Sequence, residues 1–128
     1  MATLKISDLS VGDWVMCNED KYRVMGITMF HELDLLKSSE SFRTSIDNIE
    51  PIPITAEVLE KNGFEKSTSQ FIVYHTDKVW ISYDEPSETW SVTVYINDVT
   101  SNLHANILHI HHLQHALRLA GVDKEINL

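Results

Sequence analysis

The chain has 128 residues, 43% of them hydrophobic, so it can bury one compact core or two very small ones without a stabilising metal or disulfide. Its formal charge is −9, and its ten lysines and arginines are dispersed, which argues against nucleic-acid binding. Cys17 is the only cysteine, and no segment reaches the roughly 18 apolar residues of a membrane helix. We therefore expect a cytoplasmic protein with no membrane contact.

Short strands alternate with turns over the first fifty residues. The two opening strands, DLSVGDWV and KYRVMGI, resemble those of SH3-like barrels of the KOW type. The resemblance implies a small SH3-like β-barrel over residues 1–50. The five predicted strands are 5–6, 13–17, 21–27, 32–36 and 42–46.

A pair of prolines, Pro51 and Pro53, marks the start of a second subdomain at residues 51–128. Prolines this close favour an extended connector and do not occur inside a central strand. The following segment predicts a short helix. Thr55 can cap its first turn, and Gly63 can adopt the left-handed conformation that ends it.

An antiparallel meander is predicted next, because apolar and polar residues alternate along successive short segments separated by turn residues. In its third strand, Trp90, Val92, Val94 and Ile96 share the face that we expect to be buried. The strands are 70–76, 79–83, 89–97 and one near 103–108, followed by a helix over 109–120 and a candidate edge strand at 125–128. The predicted fold class is α+β, with a small SH3-like β-barrel followed by an antiparallel β-meander sheet with two short helices.

Five of the seven histidines lie between residues 104 and 115. We expect His111, His112 and His115 on the side of the last helix away from its core face. Imidazoles one turn apart can converge on a metal ion, so His111 and His115 are candidate metal ligands. The segment HHLQH lacks the glutamate of HExxH metalloproteases, so a solvated or inter-domain helix face is the favoured interpretation. No cofactor is predicted.

Two surfaces are candidates for binding a partner. Strand alternation leads us to expect Trp80 beside Tyr74 and Tyr95 on the outer face of the sheet, as an exposed aromatic group. On the last helix, Leu119 lies with His112 on the side that should face solvent, which indicates a contact with the barrel or with another protein.

The segments PIPITAEVLEKNGFEK and IHHLQHALRLAGVDKEINL are similar to segments of one protein family. Its members are small proteins of Bacteroides-type gut bacteria and of their phages and mobile elements, with an IPLTPEILEKNGF-like segment and a C-terminal VHxLQN- or VHxLQH-like helix. The resemblance covers residues 51–128 and, more loosely, residues 5–15. Residue 115, histidine here, is often asparagine in that family. The resemblance implies a phage or mobile-element origin and no particular activity.

No catalytic motif emerges from the sequence: G-x-S-x-G and a phosphate-binding glycine loop are both absent. We therefore predict a non-enzymatic protein-binding or adaptor module that binds a protein partner or self-associates. Two alternatives remain, a metal-dependent hydrolase using the C-terminal histidine cluster and a nucleic-acid-binding accessory protein.

Overall fold

The structure, a computed structural model, divides the chain into two compact units, Met1–Ile52 and Pro53–Leu128. Each unit has its own antiparallel sheet, so the predicted α+β class is confirmed. For residues 95–96 and 99–106 only the backbone is described. The described residues are 4–38, 40–67, 72–76, 78–96, 99–119, 121–122 and 124–128.

Four strands of the first unit pair in chain order, β1-β2-β3-β4. They are β1 (Trp14–Cys17), β2 (Asp20–Ile27), β3 (Glu32–Lys37) and β4 (Glu40–Ser45). Alternate residues of β1, β2 and β3 point into one small core, as period-two patterns require. The buried members of that core are Leu9, Val15, Cys17, Val24, Leu33, Leu35 and Ile49.

After β4 the chain turns through a 3₁₀ helix, Ile46–Asn48, and returns to β1. There the backbone groups of Glu50 and Met16 exchange two hydrogen bonds of 2.8 Å. Among the described residues no ladder joins β1 to β4, so the described sheet is open. The predicted strand at 5–6 is wrong, because the chain forms a 3₁₀ helix, Ile6–Asp8, where the Asp8 carboxylate accepts from the backbone amide of Lys5.

The second unit places five strands in the order β5-β6-β7-β8-β9, which is the predicted meander with one extra edge strand, β5. The ends of three predicted elements, Gln70, Asn97 and Ala120, lie outside the described residues. The elements are α1 (Ala56–Lys61), β5 (Glu65–Lys66), β6 (Val73–His75), β7 (Val79–Asp84), β8 (Thr89–Ile96), β9 (Val99–Ile107) and α2 (Ile110–Leu119).

Helix α1 begins and ends where its sequence predicts. The hydroxyl of Thr55 accepts a hydrogen bond from the backbone amide of Val58 at 3.3 Å, which satisfies one free donor of the first turn. Gly63 has a φ of +85°, and the amide of Phe64 donates back to the carbonyl of Leu59 at 3.0 Å. This is the Schellman ending, for which glycine is favoured because it has no Cβ.

Helix α2 ends in the same way, and the chain then runs into a tail. Gly121 has a φ of +71°, and the amide of Val122 donates to the carbonyl of Leu117 at 2.9 Å. The tail forms no strand over 125–128, in contrast to the prediction. Instead, Ile126 is buried in the core of the second unit.

One face of the second sheet carries the core. Trp90, Val92 and Val94 are buried as predicted. The side chain of Ile96, the fourth residue predicted on this face, lies outside the described part of the structure. The opposite face of β7 and β8 is partly open to solvent, since Trp80 is exposed and Ser82, Ser91 and Thr93 are half-buried. The other buried apolar residues of this unit are Ile54, Leu59, Phe64, Tyr74, Val79, Ile81, Ile107, Ile110, Leu113, Ala116, Leu117 and Ile126.

Candidate functional site

Four side chains form a row across the second sheet on its partly open face. In the antiparallel register Glu65 pairs with His75, His75 with Trp80, and Trp80 with Thr93. Directly paired residues of antiparallel strands project to the same side of a sheet. The row therefore carries an acid, an imidazole, an indole and a hydroxyl across four consecutive strands.

Trp80 is the largest apolar side chain of this row, and 39% of it is exposed. Its ring stacks on the ring of His75, with the centroids 5.1 Å apart and the planes 25° from parallel. An exposed tryptophan gains free energy when a partner covers it, because its large apolar surface then leaves water. The stacking contact restricts the indole beforehand and lowers the entropy that binding would cost.

The predicted grouping of Trp80 with Tyr74 is wrong. Tyr74 is buried on the core face, where it pairs in register with Ile81 and lies 6.1 Å from the ring of Trp90. The residue beside Trp80 is His75. The side chain of Tyr95, the third member of the predicted group, lies outside the described part of the chain.

The β6–β7 hairpin explains this difference. The amide of Thr76 donates to the carbonyl of Val79 at 2.8 Å, and the hydroxyl of Thr76 accepts from the amide of Val79 at 3.3 Å. These bonds fix the register, so counting outward pairs His75 with Trp80 and Tyr74 with Ile81. The signal was present in the sequence: a tight hairpin between the predicted strands 70–76 and 79–83 brings His75, which the predicted group omitted, next to Trp80.

The histidines of α2 are more buried than predicted. His111 is fully buried, whereas His112 and His115 are half-buried. The expectation that all three face away from the core is wrong for His111. The physical reason is the width of the buried surface. Six of the ten helix residues are buried, so the buried arc extends well beyond a single apolar stripe.

Four imidazole rings lie close together where β9 meets α2. The ring of His111 is 4.2 Å from that of His112, 5.8 Å from that of His109 and 5.9 Å from that of His115, measured between centroids. Burial, and then the neighbouring His112, hold the pKa of His109 below its ordinary value. The neutral form of the His109 imidazole is therefore favoured.

A metal centre is not assembled by the described side chains. Among the described residues, no group of three or more histidine, cysteine, aspartate or glutamate side chains could hold a metal ion. His111 and His115 are one turn apart with their rings edge to face, and the assignment of these two as ligands stays a prediction. A zinc site requires at least a third protein ligand, which would have to come from outside the described side chains.

Leu119 is exposed, as predicted, with 74% of its side chain open to solvent at the end of α2. His112, its predicted neighbour in a contact surface, is half-buried. A single exposed leucine on a helix end is common, so it supports a contact surface less strongly than the stacked Trp80 does.

Comparison of the chain with models of protein families, with curated proteins and with solved structures gave no match. Among the described residues, none of the helices has the length and apolar character required to cross a membrane.

Proposed function

We propose that the protein is a non-enzymatic protein-binding or adaptor module, and that Trp80 is the anchor of its binding surface. The observation that carries the proposal is the exposed indole of Trp80 stacked on His75. Tryptophan is among the residues that most often dominate the affinity of protein interfaces. The stacked pair supports a protein contact more directly than any group of titratable residues supports a reaction.

The surroundings of Trp80 fit an interface. Thr93 lies beside it on β8, and Ser82 and Ser91 lie further along the same face. These side chains are short, half-buried and able to form hydrogen bonds, so a partner could approach the indole without displacing bulky neighbours. Glu65 and the overall charge of −9 favour a partner with a basic or neutral contact surface.

The organisation of the first unit supports an SH3-like barrel as its fold. The chain passes from β4 through a 3₁₀ helix and returns to β1 at Glu50, so the segment after the last strand pairs with the first strand, as closure of a sheet into a barrel requires. A cytoplasmic setting is supported by the single, buried Cys17. Origin in a phage or mobile element rests on the two sequence segments that resemble the Bacteroides-type family.

Two alternatives are weaker and each has a direct test. A metal-dependent hydrolase would use His111 and His115, and would carry stoichiometric metal when purified without chelators. A nucleic-acid-binding accessory protein would be retained on DNA or RNA in a salt-dependent way, which is disfavoured by an acidic chain with dispersed cations.

The proposal is tested by affinity capture from nuclease-treated lysate of the organism that encodes the protein, followed by mass spectrometry. Trp80→Ser removes the indole, and Leu108→Ser is the matched control because it also removes an exposed apolar side chain from the same unit. We expect a stoichiometric protein partner that is lost with Trp80→Ser and kept with Leu108→Ser. Equal recovery of the partner by the unmodified protein and both variants would contradict the proposal, provided that circular dichroism shows the variants folded. Recovery of no partner by the unmodified protein would also contradict it.

A further inference from the structure

The connection between β2 and β3 presents two large apolar side chains to solvent. Met29 is 84% exposed and Phe30 is 77% exposed, more than any other large apolar side chain described. Adjacent residues that are both apolar and this exposed cost solubility and need a reason. They lie in the first unit, whereas Trp80 lies in the second.

The turn that carries them is held by several hydrogen bonds. The hydroxyl of Thr28 accepts from the amides of Phe30 at 3.3 Å and Glu32 at 3.2 Å, and the amide of Thr28 donates to the carbonyl of Glu32 at 2.9 Å. His31 has a φ of +61° and its carbonyl accepts from the amide of Ile46 at 3.0 Å. The backbone of the turn from Thr28 to Glu32, here called the tip, is thereby fixed before any partner binds, which lowers the entropic cost of binding.

The shape of this tip determines what can cover it. A convex pair of side chains buries its surface only in a concave apolar site. Two clefts formed by described residues each have at least one charged side chain in their walls, so neither is a purely apolar receptor. One is lined by Asp34, Ser41, Phe42 and Arg43, and the other by Gly63, Glu65, His75 and Thr76. A second copy of this chain carries the same charge of −9, so like-charge repulsion disfavours it as the receptor for the tip.

The charges near Met29 and Phe30 narrow the choice of partner further. Glu32 lies two residues after Phe30, and exposed Asp47 directly follows Ile46, whose amide donates to the carbonyl of His31. Together with the net charge of −9, these carboxylates disfavour approach to an anionic membrane. They match a receptor whose apolar pocket is bordered by lysine or arginine.

We propose that Met29 and Phe30 form a preformed apolar knob that inserts into a basic-rimmed apolar pocket of a protein partner. The first unit then contributes a contact of its own, independent of Trp80. A chain with two such contacts could hold two proteins at once, which is the simplest physical basis for an adaptor.

The test places the photo-crosslinking residue benzoylphenylalanine at position 30 of the full chain and irradiates it in lysate of the encoding organism. We expect one protein to be crosslinked, at a site that peptide mapping assigns to an apolar pocket with lysine or arginine at its edge. Crosslinks to this chain itself, to a second copy, to lipid, or to nothing would overturn the proposal.

Affinities for the crosslinked protein complete the test. Met29→Ser and Phe30→Ser should each weaken binding by roughly 10- to 100-fold, the range expected for one buried large apolar side chain. Val11→Ser, which alters another exposed apolar residue of the same unit, should leave the affinity unchanged, and added salt should weaken it. Equal weakening by Val11→Ser would overturn the proposal. Trp80→Ser should not alter crosslinking at position 30, so failure of either proposal is distinguishable from failure of the other.

Discussion

Asn62 ties the C-terminal tail to helix α1, and its removal should destabilise the second unit. Its side-chain amide donates to the carbonyls of Val58 at 2.7 Å and Asn127 at 2.8 Å. Its side-chain oxygen accepts from the amide of Asn127 at 2.7 Å. The Asn62 side chain is buried, so Asn62→Ala leaves the amide and the carbonyl of Asn127 to find other partners in a site with little access to water, whereas the carbonyl of Val58 keeps its bond from the backbone amide of residue 62.

The size of the effect follows from those three bonds. A hydrogen bond contributes a net ~0.5–1.5 kcal/mol, so Asn62→Ala should lower the free energy of unfolding by about 2–4 kcal/mol. A unit of this size is stabilised by only about 4–11 kcal/mol in total. The loss is therefore a large fraction, and the amide of Asn127 should exchange with solvent faster as the tail is released.

The loss in the free energy of unfolding is measured by urea unfolding, monitored by circular dichroism. The release of the tail is measured by the hydrogen-exchange rate of the Asn127 amide. Asn48→Ala is the matched control, because Asn48 is exposed and its one described side-chain bond goes to the hydroxyl of Thr44 at 3.0 Å. It should cost less than about 1 kcal/mol. If Asn62→Ala cost no more than the control and left exchange at Asn127 unchanged, the role assigned to Asn62 would be refuted.

Three further predictions concern single groups. Gly121→Ala should cost about 1 kcal/mol in urea unfolding, because the site has room for a methyl group and only the positive φ opposes alanine. Because the pKa of His109 is lowered in the folded chain, the unfolded chain binds more protons as pH falls below about 6.5, and the free energy of unfolding should decrease there. The slope of the free energy of unfolding against pH should stay well under ~1.4 kcal/mol per pH unit, the value for uptake of one whole proton on unfolding, since His109 is only partly buried. His109→Gln should reduce this slope. Burial raises the pKa of the Cys17 thiol, so iodoacetamide should modify it only after urea unfolding; rapid labelling of the native protein would contradict this.

Local signals in the sequence predicted the helix ends well. At Gly63 the conformational freedom of glycine and the apolar residue that follows are enough to specify a Schellman ending, and that ending occurs. The same two features at Gly121 give the same ending to α2. Alternation in β8 likewise predicted the buried face at Trp90, Val92 and Val94. These features depend on residues within a few positions of one another, so they are readable from sequence.

Features that depend on distant residues were not predicted. Asn62 and Asn127 are 65 positions apart, and nothing in either segment indicates the pairing that replaces the predicted edge strand. The full burial of His111 depends on how much of α2 is covered, which helical periodicity does not report. Tyr74 was misplaced for a different reason, because its position depended on a hairpin register that the turn itself sets.

Oxidative footprinting of Trp80 in the captured complex tests the central claim most directly. Hydroxyl radicals label exposed tryptophan, so Trp80 should be modified in the free protein and protected once the partner is bound. Trp90, buried in the same unit, provides an internal control that should be weakly labelled in both states. Protection of Trp80 alone is the predicted result, and equal labelling of Trp80 in the free and bound states would contradict its role as the anchor of a protein interface.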